Sequence, residues 1–407
     1  MALCSGQTLD SLIATALRNN SQLKSYEYQA SAARAKIWQA VSLDAPMVGI
    51  EYMQAPISSF PDPGKDQMEK DFFVQQMIMF PGKTLAMRSM ASNNAAMMKQ
   101  VYKAQERKVI RDVKAAYYML YFTRQKKRLS DENLGLMKDF IQIARKMYET
   151  GMSLQIDILR AQTELANLQN QQIDQEQELE SSVEMLGVLI GQPVDSAVVI
   201  ADEIYIDMPQ LSYVAIDTII EQNRPDLQSM KYAVKMNKAS ALSAKLGYLP
   251  DIMLQGRYKV ITGDPQRYWS LMLGFTIPLV PWSAGKSIGL AAENNNNAKK
   301  TESEYANMRN MAQYEAHTAL NKIQAYHEQI IRFQNSIIPQ AKQTMQSTLT
   351  AYQNGKTEFL MVIDAYKMQL MSRLDYNMAI MNYMTAQADL EQAVGLDIKD
   401  ILSRLNK

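Results

Sequence analysis

Twenty-nine methionines give this chain a large stock of thioether sulfur, a soft donor suited to Cu(I). The sulfurs do not gather into a cluster. Met368, Met371, Met378, Met381 and Met384 stand at helical spacing, the pattern of a seam filled by flexible apolar side chains. A relay of metal sites is the weaker reading, and neither metal nor cofactor is expected. The two histidines, His317 and His327, lie ten residues apart with no cysteine or carboxylate at ligand spacing, which argues against zinc. Cys4 is the single cysteine, so no internal disulfide forms. It is either an incidental thiol or a lipid acceptor, and the residues before it fit a lipidation signal poorly. No nucleophile elbow, phosphate loop or paired catalytic carboxylates occur. The chain does not read as an enzyme.

Charge is nearly balanced, with 43 Lys and Arg against 42 Asp and Glu. A nucleic-acid partner would need a concentrated basic face, so none is expected. Apolar residues make up 47% of the chain, enough for a large core or several domains. Yet stretches such as Ala115 to Phe122 fall far short of the ~18 to 20 residues of a membrane helix. Entry into a membrane would require a closed β-barrel. The start lacks a charged, then apolar, leader, so either the chain is cytosolic or a secretion signal has been removed.

The elements that would hold any site repeat at a period of 204 residues. Pro46, Tyr148, Gly151 and Gly191 return as Pro250, Tyr352, Gly355 and Gly395, and Leu23 and Tyr28 as Leu227 and Tyr232. Gly82-Lys83 returns as Gly285-Lys286, one residue out of step. A unit that keeps its turn residues over such a length is one architecture built twice, here residues 1–204 and 205–407.

From Lys83 to Gln192 there is no proline, and strong helix formers dominate. Steps such as Val109, Val113, Ala116 and Leu120 predict long coiled-coil helices. Gly151 and Gly355 should end them in hairpin tips, with Ser153 and Thr357 capping the returning helices. The expected helices are Thr8–Leu43, Thr84–Glu149, Leu154–Leu189, Tyr213–Leu249, 285–354 and Glu358–Val394. Gly135 and Pro339 hold the same repeat position, and a kink is expected at Pro339.

Between the helices the period changes to two. Ile252, Leu254, Tyr258 and Val260 alternate with Met253, Gln255, Arg257 and Lys259. Trp269, Leu271, Leu273, Phe275 and Ile277 alternate with Ser270, Met272, Gly274 and Thr276. Strands of about nine residues with one apolar and one polar face suit a transmembrane β-hairpin. Met47–Ala55 and Asp71–Phe80 offer the counterpart, so hairpins are expected within 46–81 and 250–278. Leu271, Leu273 and Phe275 would face lipid, and Arg257, Lys259, Met272 and Thr276 the lumen. A soluble coiled-coil scaffold with β-hairpin appendages is the alternative. Four strands cannot close a barrel in one chain, so several copies are required.

In this order, the whole chain resembles the TolC-type outer membrane factors. The resemblance rests on the duplicated plan, on Phe80-Pro-Gly-Lys83 and Pro281-Trp-Ser-Ala-Gly-Lys286 after the hairpins, and on the tips Tyr148-x-x-Gly151 and Tyr352-x-x-Gly355. Asp157-Ile-Leu-Arg-Ala161 and Val362-Ile-Asp-Ala365 follow the tips. It implies a homotrimer in the outer membrane of a Gram-negative bacterium, with a 12-stranded β-barrel continuing into a 12-helix periplasmic tunnel. A mixed belt would come from Gly191–Ser212 and the C-terminal tail. Its partners would be outer-membrane lipid, a periplasmic adaptor and an inner-membrane pump of the RND or ABC type, and its task efflux or type I secretion. The family's aperture acids map to Met361 and Asp364, so one carboxylate is kept and one lost. The same offsets in the first repeat give Asp157 and Arg160, either a latch to the neighbouring hairpin or a near-neutral helix pair. Gly151, Met152, Ser153, Gly355, Lys356 and Thr357 fall where adaptor hairpins would dock.

Overall fold

Turn chemistry decides where the helices stop. The computed structural model describes residues 8–64, 68–193, 204, 206, 211–278 and 280–405. Cys4 and most of 191–212 lie outside them. The elements run α1 (Leu9–Asn19), α2 (Ser21–Val41), β1 (Met47–Met53), β2 (Glu69–Ile78), α3 (Pro81–Glu149) and α4 (Gln155–Ile190). Then come α5 (Tyr213–Asn223), α6 (Pro225–Leu246), β3 (Ile252–Ile261), β4 (Arg267–Phe275), α7 (Pro281–Arg332), α8 (Ile338–Gln353), α9 (Phe359–Val394) and α10 (Ile398–Leu405). Among the described residues no helix is long and apolar enough to cross a membrane.

The chain divides into two compact units. One comprises Met1–Ser25, Tyr102–Pro225 and Arg309–Lys407, the other Tyr26–Val101 and Asp226–Met308.

In the first unit, α3 and α4 form one helical hairpin and α8 and α9 another. At both tips the glycine is left-handed, φ 74° at Gly151 and 66° at Gly355. The next N–H closes back over the helix end, Met152 N to Met147 O at 2.8 Å and Lys356 N to Ala351 O at 2.9 Å. The expected serine and threonine caps do not form. The caps are Leu154 and Glu358, neither with a side-chain bond. Ser153 Oγ instead donates back to Ala144 O at 3.4 Å. Between the hairpins Phe140, Met147, Leu168, Tyr352, Phe359, Val362 and Tyr366 form a buried core. Phe140 meets Tyr366 edge-on at 5.7 Å.

Two expected helices prove to be broken. Thr8–Leu43 divides at Asn20, whose ψ of 115° leaves the helix and whose Oδ1 accepts from Leu23 N at 2.9 Å. Tyr213–Leu249 divides before Pro225, which drives Arg224 to ψ 116°. Each break receives a left-handed helix-ending glycine. A Cβ on Gly191 would lie 3.2 Å from Asn19 O, and one on Gly395 would lie 2.9 Å from Asn223 O and 3.0 Å from Arg224 Cα. Gly395→Ala therefore adds left-handed strain of about 1–2 kcal/mol to a backbone collision. Thermal unfolding followed by circular dichroism should show a clear loss of stability. Gly135→Ala should show none, because a Cβ there meets nothing within 4 Å.

The predicted kink at Pro339 takes another form. Phe333–Ile337 make a π-helical turn that runs on into α8 with helical backbone, and Pro339, which has no N–H to offer the ladder, follows just after it. α3 passes through Gly135 unbroken.

The second unit contains a four-stranded antiparallel sheet of order β1-β2-β3-β4. The strands lie within two residues of their expected ends, although β4 stops at Phe275 and leaves Thr276 and Ile277 beyond it.

Candidate functional site

Directly paired residues of an antiparallel sheet share a face, so the register assigns every side chain. From the turn end inward, one face reads in rows. Tyr52, Lys70, Val260 and Arg267 come first, then Ile50, Phe72, Tyr258 and Trp269, then Val48, Val74, Gly256 and Leu271. Gln76, Leu254 and Leu273, then Ile78, Ile252 and Phe275, complete it. Leu271, Leu273 and Phe275 thus share one exposed apolar face.

The opposite face carries the charge. Arg257 donates to Glu51 at 2.9 Å and to Asp71 at 3.3 Å, and Lys259 pairs with Glu69. Phe73 closes over Gly49, and the Arg257 guanidinium stands 5.9 Å from its ring. The Asp71 side chain is only 1% exposed. Met272 lies on this face opposite Gln255. Thr276 lies past the strand, where its hydroxyl accepts from Asp251 N at 2.8 Å. The sequence reading found Arg257 and Lys259 and missed their partners Glu51, Glu69 and Asp71. The parity of those three acids along β1 and β2 was the available signal.

At the foot of the sheet, Lys83 of Phe80-Pro-Gly-Lys83 bonds Asp251 at 2.8 Å, and Phe80 N donates to the same oxygen at 2.9 Å. Burial alone would raise the Asp251 pKa, but Lys83 and the Phe80 N–H hold it below the usual carboxylate range. The motif thus pins α3 to the start of β3.

At the helical tips the two halves differ. Tyr148 is 47% exposed, whereas Tyr352 is 2% exposed and packs on Phe359 at 5.3 Å. The Tyr352 hydroxyl donates to Asp157 Oδ2 at 3.4 Å, a long bond from the second hairpin to the first. Burial and the nearby Asp157 carboxylate, opposed by Ser153, push the phenol pKa up, so it remains a donor at neutral pH. Lys367 and Glu164 add an ion pair at 2.9 Å between α9 and α4. Met361 and Asp364 are exposed one turn apart on α9, and Arg160 is exposed on α4. Among the described residues neither Asp364 nor Arg160 forms an ion pair. The sequence pointed to Asp157 but not to Tyr352, because the tip tyrosine read only as a turn marker.

A sheet apolar on one face and charged on the other, joined to long paired helices, defines a channel-forming class of outer membrane protein. The chain belongs to the outer membrane efflux protein family, whose model matches residues 12–192 and 218–396. It is similar to the probable efflux pump outer membrane protein TtgC and the antibiotic efflux pump outer membrane protein ArpC, both of Pseudomonas putida. Each is 21% identical over 271 residues, covering 63% of this chain and 54% of the relative. The match thus spans about half the length of these relatives. The fold matches that of CusC with a TM-score of 0.83 and 17% identity, over 96% of this chain and 93% of that one. For OprN the TM-score is 0.82 at 17% identity, over 95% and 89%. For VceC of Vibrio cholerae it is 0.81 at 16% identity, over 96% of each chain. OprN is an outer-membrane channel, CusC forms a transmembrane channel and VceC is an outer membrane protein, and at such identities they share the fold alone with this chain.

Proposed function

We propose that this chain is the outer-membrane exit duct of a tripartite efflux pump or a type I secretion system, working as a passive homotrimer. The two-faced sheet carries this reading. Its apolar face needs a hydrocarbon partner and its charged face water, while β1 and β4 are left as open edges that other copies can pair. Three chains would supply 12 strands and the paired helices of a periplasmic tunnel, with each chain a tandem of two repeats, 1–204 and 205–407. A periplasmic adaptor would dock on Gly151, Met152, Ser153, Gly355, Lys356 and Thr357, coupled to an inner-membrane pump of the RND or ABC type. Selection of cargo would rest with the pump. Purified protein in detergent should be a trimer by light scattering and should form channels in planar bilayers. A folded, monodisperse monomer would sink the reading.

The tips are the gate in this scheme. The Tyr352–Asp157 bond ties the two hairpins of one chain together, and Asp364 with Met361 lines the aperture. Three Asp364 carboxylates brought close together repel one another and favour cations. Asp364→Ala should reduce cation selectivity in bilayer recordings. Arg160→Glu should raise resting conductance if Arg160 latches a neighbouring hairpin. Wild-type selectivity and leak in both variants would place the aperture elsewhere.

A further inference from the structure

The outward face of the sheet is not uniformly apolar. Its first row holds two cations, Lys70 and Arg267, separated by Val260. Two strand spacings put them about 10 Å apart. Lys70 makes no ion pair among the described residues, its Nζ lying 5.2 Å over the Tyr52 ring. Arg267 donates to the carbonyl oxygens of Asp264 and Gln266, at 3.1 and 3.2 Å. The nearby Asp264 carboxylate already accepts from Gln266 N and Tyr268 Oη, both at 2.8 Å. The sheet acids Glu51, Glu69 and Asp71 all lie on the other face. Beneath the cations come Phe72, Tyr258 and Trp269, the last 80% exposed. Two residues further along each strand, Gly256 leaves a gap between Val74 and Leu271. The result is an apolar trough of about 710 Å³. A Cβ built on Gly256 would meet nothing within 4 Å.

We propose that this face binds a bisphosphorylated glycolipid of the lipid A type, one phosphate on each of Lys70 and Arg267 and one acyl chain laid along the Gly256 trough. The inference rests on the outer-membrane reading above, in which the turn ends of the strands reach the outer leaflet. Four residues separate the cation row from the Gly256 row, about 14 Å along the strand, so a chain hanging from the headgroup passes directly over the gap. Two separate cations match two phosphates, whereas a phosphatidylglycerol headgroup offers one.

The test uses the full chain in detergent with three probes: bisphosphoryl lipid A, monophosphoryl lipid A and phosphatidylglycerol. Lipid adducts are titrated by native mass spectrometry. Bisphosphoryl lipid A should bind the wild type most tightly. The double variant Lys70→Gln with Arg267→Gln should weaken it about thirtyfold, counting both cations as headgroup contacts. Lys70→Arg with Arg267→Lys should keep the affinity. Gly256→Val, which has room to fold, should weaken it by filling the trough. Unchanged affinity in the Gln pair, or phosphatidylglycerol bound as tightly as bisphosphoryl lipid A, would overturn the proposal. Insertion of each variant into liposomes is followed in parallel by heat-shifted gel mobility. Insertion without lipid preference defeats this site alone, whereas a wild type that never inserts defeats the outer-membrane reading itself.

Discussion

Arg257→Met is expected to destabilise the sheet by about 3 kcal/mol, because it strips the buried Asp71 carboxylate of its bonded cation and leaves only its cross-strand neighbour Lys259 as a nearby positive charge. Asp71 is 1% exposed and pairs with Arg257 at 3.3 Å, while its Oδ1 has no hydrogen-bond partner among the described residues. Glu51, the other acid on Arg257, is far more exposed and can turn to water. The penalty should therefore fall on Asp71. Adding Asp71→Asn should recover most of it, since the amide carries no charge to leave stranded. Asp71→Asn alone should cost less than Arg257→Met, because its orphaned cation keeps Glu51. Unfolding in urea, followed by the mobility of the heat-resistant form, separates the four members of this cycle. Equal midpoints for Arg257→Met and wild type would mean that water or Lys259 compensates the Asp71 carboxylate.

Leu273→Arg should cost about 2–4 kcal/mol if the residue lies near the bilayer midplane, since a guanidinium in hydrocarbon loses its hydration. Leu273 is 58% exposed on the apolar face, and its neighbour Met272 is 43% exposed on the charged one. Met272→Arg should therefore be tolerated. The comparison is sharp because adjacent residues of one strand receive the same substitution, so local backbone effects cancel. Yield of folded protein in liposomes measures both. Equal tolerance at 272 and 273 would show that β4 does not separate lipid from water.

Much of the architecture was legible because it depends on local rules. Period-two alternation placed both hairpins, and the αL glycines placed both tips. The helix breaks were legible in part: Pro225 is a plain sequence signal that long helical periodicity masked. Asn20 gives a weaker one, because an asparagine caps a helix only when the chain around it has room to turn. The charged network was harder. Glu51, Glu69 and Asp71 become partners of Arg257 and Lys259 only through the pairing of β2 with β3, a contact between residues some 190 positions apart that no local pattern encodes. The Tyr352–Asp157 bond was hidden for the same reason.

The π-helical turn at Phe333–Ile337 bears on the history of the chain. Gly82 and Gly285 stand 203 residues apart, whereas Tyr148 and Tyr352 stand 204 apart. On the two-copy reading, the second long helical run holds one residue more than the first. An α-helix cannot absorb an extra residue without turning everything beyond it by about 100°. A π turn can, because its hydrogen bonds span five residues in place of four and so take in one more. The surplus is confined to a single turn, and Tyr352 and Gly355 keep their orientation. An insertion that would otherwise have rotated the second tip out of register with its partner hairpin could thus persist after duplication.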